Sequence, residues 1–219
     1  MPFKATGEPG DPTVVDEWEN GVGWMAHPEE TMQRTSHAIV VDGDVWIVDP
    51  VDAPGIDDLL ADLGDVVGVV VLLDRHQRDA DAFAQRFDVP VYLPGYIDRD
   101  FDAPVERLGV RLPETTVRVL HTVDLPFWQE AALFDGETLV VADALGTVEY
   151  FVVRPERIGV HPMLRPVPPT TLRDLTPARI LTGHGEGVFE DAECALARAI
   201  DGSRNRLPQA WLKGLRSLI

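Results

Sequence analysis

Val66–Asp79 reads VVGVVVLLDRHQRD. Its first eight residues, Val66–Leu73, are valine and leucine with a single glycine. A short unbroken run of that kind argues a strand buried on both faces. The run stops at Asp74-Arg75-His76-Gln77-Arg78-Asp79, which gathers an imidazole, two guanidiniums and two carboxylates. Beyond it Ala80, Phe83, Ala84 and Phe87 recur at i, i+3, i+4 and i+7, which predicts an amphipathic helix with acids at its start. A buried strand, a polar loop and a helix in succession mark the kind of strand end where ligand-binding loops gather in α/β folds. Two more apolar strands end the same way. Thr138–Ala142 runs into Asp143, and Arg179–Thr182 runs into Gly183-His184-Gly185. Carboxylates and imidazoles together suit a divalent cation. Each group also fits an ordinary role: Asp79 a helix N-cap, Asp143 a turn cap, His184 a turn residue between glycines.

Further from this stretch, His37–Val41 and Val45–Asp49 flank Asp42-Gly43-Asp44, a hairpin signal. Pro54–Leu63 carries Ile56, Leu59, Leu60 and Leu63 at helical spacing. Val89–Leu93, Val117–His121 and Ala131–Phe134 read as strands, and Asp135-Gly136 predicts a hairpin turn into Thr138–Ala142. Residues 155–170 are proline-rich and predict a loop. Ala192, Ala195, Leu196, Ala199 and Ile200 mark a helix, and Leu207–Ile219 a last one. Residues 1–12 are expected to be a loose N-terminus, and 13–219 a single domain. Strands in two batches, each followed by helix, predict two sheets with helices on their outer faces.

The chain has 219 residues, enough for a core without staples. Its single cysteine, Cys194, excludes an internal disulfide or a cysteine-based zinc knuckle, and its α-helical neighbours predict a small buried side chain. No apolar run approaches a membrane span, and the opening MPFKATGEPGDP lacks the apolar core of a secretory leader. A cytoplasmic protein is therefore expected. Asp and Glu number 37 against 19 Lys and Arg, a net charge of −18. Such a surface repels phosphate backbones and anionic lipids, so neither nucleic acid nor membrane is an expected partner; a small-molecule ligand is. Only Lys4 and Lys213 are lysines. Many short carboxylates with few ammonium stems are the balance expected of a halophile, where concentrated salt screens the repulsion.

In order and flanks these segments resemble the metallo-β-lactamase fold superfamily, a four-layer αββα sandwich. The resemblance runs from about residue 36 to 200. Ser36–Asp49 (SHAIVVDGDVWIVD) is similar to the family's opening hairpin, which ends in a structural aspartate. Asp74–Asp79 (DRHQRD) sits where the family carries HxHxDH. Val119–Pro126 (VLHTVDLP) resembles the strand and loop that deliver a third histidine. Asp135–Asp143 (DGETLVVAD) resembles the segment of the metal-bridging aspartate, and Ile180–Gly185 (ILTGHG) that of the last ligand. The motif is degenerate. Carried over residue by residue, His76, Asp143 and His184 are kept. Asp74 replaces the first histidine, Arg78 the aspartate, Asp79 the closing histidine and Leu125 the third histidine.

The resemblance then implies one divalent metal (Zn, Mn or Fe) on His76, Asp143 and His184, with Asp74, or Asp79 where it is not the base, as a further oxygen ligand, or no metal at all. Arg78 is expected to balance the charge of the clustered carboxylates, or to belong to a solvated charge run at the helix start. Asp79 is the expected general base. Leu125, Phe127 and Trp128 are expected to line the pocket, and His161 is a candidate for covering it. His37 is expected at the core edge and His121 as a strand-end hydrogen-bonder. Two functions follow: a hydrolase of a small ester, thioester, lactone or phosphoester, or a non-catalytic descendant that binds a small molecule or partner through an Asp–Arg–His network. The sequence does not give the oligomeric state.

Overall fold

The computed structural model describes residues 2–216. The first sheet has seven strands in chain order: β1 (Thr13–Trp18), β2 (Gly21–Met25), β3 (Thr35–Val41), β4 (Asp44–Val48), β5 (Asp65–Val70), β6 (Val91–Pro94) and β7 (Val105–Leu108). Pairing is antiparallel from β1 to β4 and parallel from β4 to β7. The parallel half needs crossovers, supplied after β4 by α1 (Ile56–Ala61) and after β5 by α2 (Ala80–Phe87). The second sheet has β8 (Arg118–Leu125), β9 (Trp128–Phe134), β10 (Thr138–Val141) and β13 (Arg179–Thr182), in the order β13-β10-β9-β8. Between them in the chain β11 (Leu145–Gly146) and β12 (Gly159–Val160) form a small ladder. Helices α3 (Ala192–Gly202) and α4 (Leu207–Arg216) follow.

Period-two alternation assigns the layers. In β4, Val45 and Ile47 join the core under α1 and α2, while Trp46 and Val48 join the core between the sheets. Along β5 and the residues after it, Val69 and Val71 face the helices and Val70 and Leu72 the other sheet. That is why Val66–Leu73 shows no polar alternation: both faces are covered. The one glycine in the run, Gly68, is required by packing, since a Cβ there would sit 2.5 Å from the Tyr92 ring. On the far side α3 buries Ala192, Ala195, Leu196, Ala199 and Ile200 in the inter-sheet cluster. The result is the expected αββα sandwich in one domain.

The Asp42-Gly43 turn closes β3 on β4 with Val41 opposite Asp44, and both turn residues have positive φ (54° and 95°), as a two-residue hairpin turn demands. Three features differ from expectation. The β1–β2 hairpin, β7 and the short β11–β12 ladder are strands where the sequence pattern predicts none, β12 falling inside the proline-rich stretch 155–170. Cys194 is exposed, because it lies on the side of α3 turned away from Ala195 and Ala199. At the N-terminus, Pro2 and Phe3 carbonyls accept hydrogen bonds from Thr31 and Met32 (2.9 and 3.2 Å), and the Ala5 N–H donates to Glu30. His37 is buried against Asp16 at 3.2 Å, and His121 is exposed beside Asp124. No helix of the described residues is long and apolar enough to cross a membrane.

Candidate metal centre

The ends of β5, β10 and β13 meet at one edge of the sandwich and carry His76, Asp143 and His184 to one point. One ligand atom from each lies within 4.8 Å of the others. Asp143 Oδ1 stands between the imidazoles, 2.9 Å from His76 Nε2 and 2.8 Å from His184 Nε2. The outer nitrogens are already committed. His184 Nδ1 is 2.7 Å from the Met32 carbonyl, which can only accept, so Nδ1 carries a proton. His76 Nδ1 is 2.9 Å from Asp49 Oδ2, the aspartate that ends the β3–β4 hairpin, and donates likewise. Asp49 is fixed in turn by the Leu72 N–H at 3.0 Å. With Nδ1 committed outward, each ring turns Nε2 to the carboxylate oxygen, and a neutral ring presents a lone pair there. In the metal-binding form three acceptors converge, with only the Arg78 guanidinium, 3.5 Å from His76 Nε2, as a neighbouring donor, and the arrangement asks for a cation or a proton between them. The donor set, two Nε2 atoms and a carboxylate with their outer nitrogens held by a carboxylate and a carbonyl, is the one that binds zinc-class ions. The residues fit a divalent metal.

The electrostatics agree. Burial alone would raise the Asp143 carboxyl, but the two histidines hold it well below the usual carboxylate range. Burial and Arg78 press the His76 imidazole down, yet Asp143 and Asp49 carry it above its ordinary value. His184 is lowered, because burial outweighs the pull of Asp143. A positive charge is thus wanted on one side of the group, from a proton or from an ion.

The other expected site residues are placed as follows. Asp74 stays outside the group: it lies 3.3 Å from Arg75 Nη1 and accepts from the Gln129 N–H at 3.3 Å. The Asp79 carboxylate accepts from the Asp52 N–H at 2.8 Å and lines a cleft of about 940 Å³ whose walls include none of His76, Asp143 and His184. Geometry thus removes the expected general base from the metal group. Arg78 does not fork onto carboxylates, as charge balancing would have it. Its guanidinium donates to three carbonyls, Thr35 (2.9 Å), Asp49 (2.7 Å) and Gly183 (3.1 Å), and lies 3.5 Å from His76 Nε2. Leu125 is half-buried against the inter-sheet core. The Phe127 side chain is exposed, and only its carbonyl turns to the site, accepting from Arg75 at 3.0 Å. Trp128 is buried, with the Arg75 guanidinium 4.1 Å above its ring.

Sequence reasoning missed Glu130. It is fully buried, accepting from Ala144 N–H (2.8 Å) and Trp128 Nε1–H (2.7 Å). Burial, with Asp143 nearby, raises its carboxyl to about 8. The signal was a lone acid inside the apolar strand WQEAALF. Its folded-state value lies above the ordinary 4.5, so between pH 4.5 and 8 the folded chain holds a proton the unfolded chain has released. This contribution is full below pH 4.5 and is lost as pH rises through 8. Urea midpoints of chelated protein are expected to fall over pH 5–8.5, and the fall to be clearly smaller in Glu130→Gln. Parallel pH curves for the two proteins would refute this.

No protein-family model matches the sequence, and no curated protein matches it. Solved structures do. DIM-1 metallo-β-lactamase exposed to ceftazidime superposes with a TM-score of 0.64 at 10% identity, over 91% of this chain and 99% of that one. TMB-1 gives 0.59 at 10% identity over 88% and 98%. TTHA1623 in a di-iron-bound form gives 0.51 at 18% identity over 77% and 94%. Identities this low speak for architecture and leave substrate open. With two facing sheets and a His/Asp group at their edge, the chain has the metallo-β-lactamase fold.

Proposed function

We propose that this protein is a hydrolase of a small-molecule ester, thioester, lactone or phosphoester that works with one divalent metal, Zn, Mn or Fe, on His76, Asp143 and His184. The observation that carries this reading is the convergence of three lone-pair donors whose outer nitrogens are oriented by Asp49 and Met32. When bound, such an ion supplies a Lewis acid and a water acidified to about neutral pH. The residues of the chain do the rest. Asp49 and the Met32 carbonyl hold both imidazoles with Nε2 inward. Asp143 offers its charge between them, and Arg75 covers the group from the solvent side, 3.8 Å from Asp143 Oδ2. A single ion is expected, because Leu125 offers no lone pair and the Arg78 guanidinium stands beside His76.

The second reading, a non-catalytic binder of a small molecule or partner, is favoured by the Asp79 carboxylate, the expected general base, which is bonded to the Asp52 N–H. Metal analysis of protein purified without chelators separates the two. The hydrolase reading expects about one ion per chain and metal-dependent cleavage of at least one of the four substrate classes. A metal-free protein with no such activity would support the binder.

A further inference from the structure

Trp128 forms a wall beside the metal group, and its indole is fixed by Glu130 through the 2.7 Å bond from Nε1. Two donors are mounted on this one ring. The Arg75 guanidinium lies over its face at 4.1 Å, and the His161 imidazole meets it edge-on at 4.7 Å. Both stand close to the metal group. Arg75 Nη2 is 3.8 Å from Asp143 Oδ2. The His161 N–H donates to the carbonyl of Ala144, the residue after Asp143, at 3.1 Å. The His161 ring also shares Phe151 with His184, at centroid distances of 5.1 and 5.5 Å.

Each donor keeps capacity for a ligand. Arg75 engages Phe127 and Asp74 through Nη1 alone, and its side chain is 42% exposed. His161 Nδ1 accepts from the Met163 N–H at 3.2 Å, which places the ring proton on Nε2 as a donor. Burial holds this imidazole neutral, down to about 4, so it remains a donor without a charge. The N-terminal segment packs beside this edge. Phe3 packs edge-on against Tyr150 at 5.7 Å, and Phe3 O is bonded to Met32, whose own carbonyl holds His184. Lys4, one of only two lysines in a chain of net charge −18, sits in this segment, where burial lowers its ammonium from the ordinary value against the opposing pull of Asp143.

We propose that Arg75 and His161, mounted on Trp128, form an oxyanion-binding subsite beside the metal group, so that the substrate is a small molecule carrying a carboxylate or phosphate next to the bond cleaved. The inference rests on the hydrolase reading above and narrows its substrate class. A guanidinium edge and a neutral N–H are the donors that either anion takes, and a shared ring that fixes both lowers the cost of ordering them. Elsewhere the acidic surface repels such a ligand, so binding is directed to this edge.

Inorganic phosphate and acetate are the probes, titrated at constant ionic strength into the zinc-supplemented full chain, with binding read by calorimetry and metal content measured on the same samples. Wild type is expected to bind phosphate saturably. Arg75→Gln and His161→Phe are each expected to weaken it about tenfold or more, the loss typical of a hydrogen bond to a charged group. Arg75→Lys, which keeps the charge but not the fork, should recover part of the loss. His161→Gln, which keeps a donor, should bind within a few-fold of wild type, and it carries the comparison if His161→Phe melts early. The stronger of the two anions assigns the phosphate or the carboxylate class. No saturable binding of either anion by wild type, or equal binding by Arg75→Gln and His161→Phe, would overturn the subsite. Protein that takes up no zinc in the supplemented samples but still binds phosphate through Arg75 and His161 would sink the metallohydrolase reading and leave the subsite standing.

Discussion

Replacing Arg78 by methionine is expected to destabilise the protein by about 3 kcal/mol, through the loss of three charge-assisted hydrogen bonds to backbone carbonyls. Three carbonyls each lose a charged donor at once, although Gly183 O keeps the Thr35 N–H (3.0 Å) and Asp49 O keeps the Ser36 hydroxyl (2.9 Å). Thr35 opens β3, Asp49 follows β4, and Gly183 follows β13, so one guanidinium ties the end of the first sheet to the end of the second. Arg78 reaches them from a left-handed backbone (φ 42°), a conformation a long side chain keeps only where its contacts impose it. Lysine has the charge but a single nitrogen, and cannot span the three acceptors in the guanidinium's plane. Arg78→Lys is therefore expected to lose more than half as much as Arg78→Met. Urea unfolding of both variants with unchanged m-value measures the loss. A shift below about 1 kcal/mol for Arg78→Met would show that water replaces the guanidinium without penalty.

Arg78 also shows where the sequence stops being informative. The layers were legible, because β4 and β5 are pattern: buried β-branched residues on both faces, a two-residue Asp-Gly turn, and helices at 3.6 spacing. The meeting of His76, Asp143 and His184 was legible through the resemblance, since each follows an apolar strand. The direction of a long polar side chain was not. DRHQRD holds four charges in six residues, and composition alone gives no reason for Asp79 to turn to Asp52 while Arg78 turns to backbone carbonyls. The β1–β2 hairpin escaped for a related reason. β1 is an edge strand with one buried residue, Asp16, so its TVVDEW carries no apolar face to read. Asp16 is buried because it accepts from Gly187 N–H at 2.7 Å and pairs with His37, both distant in sequence. Trp128 as a platform for Arg75 and His161 is likewise a product of three separate segments meeting.

Asp143→Asn is expected to lower metal affinity by more than about 100-fold, beyond the 10–100-fold typical of an outer partner, because a charged direct ligand becomes a weak neutral one. The same change is expected to leave the chelated protein as stable as wild type or more so. In the wild type, Oδ1 faces two Nε2 lone pairs at 2.9 and 2.8 Å and needs a proton or an ion between them. An asparagine with its amide nitrogen in that place donates one N–H to each imidazole, and its carbonyl faces Arg75. The two effects have opposite signs, which no general loss of folding produces. Melting curves with chelator and with zinc read both. Wild type should rise with zinc by linkage, as RT ln(1 + [Zn]/Kd), while the variant stays flat. His184→Ala is the contrast: it removes a ligand and also abandons the Met32 carbonyl bonded at 2.7 Å, so it should melt lower with chelator as well as fail to respond to zinc. An Asp143→Asn protein that keeps its metal within about tenfold of wild-type affinity would remove Asp143 from the ligand set and with it the proposed three-residue centre.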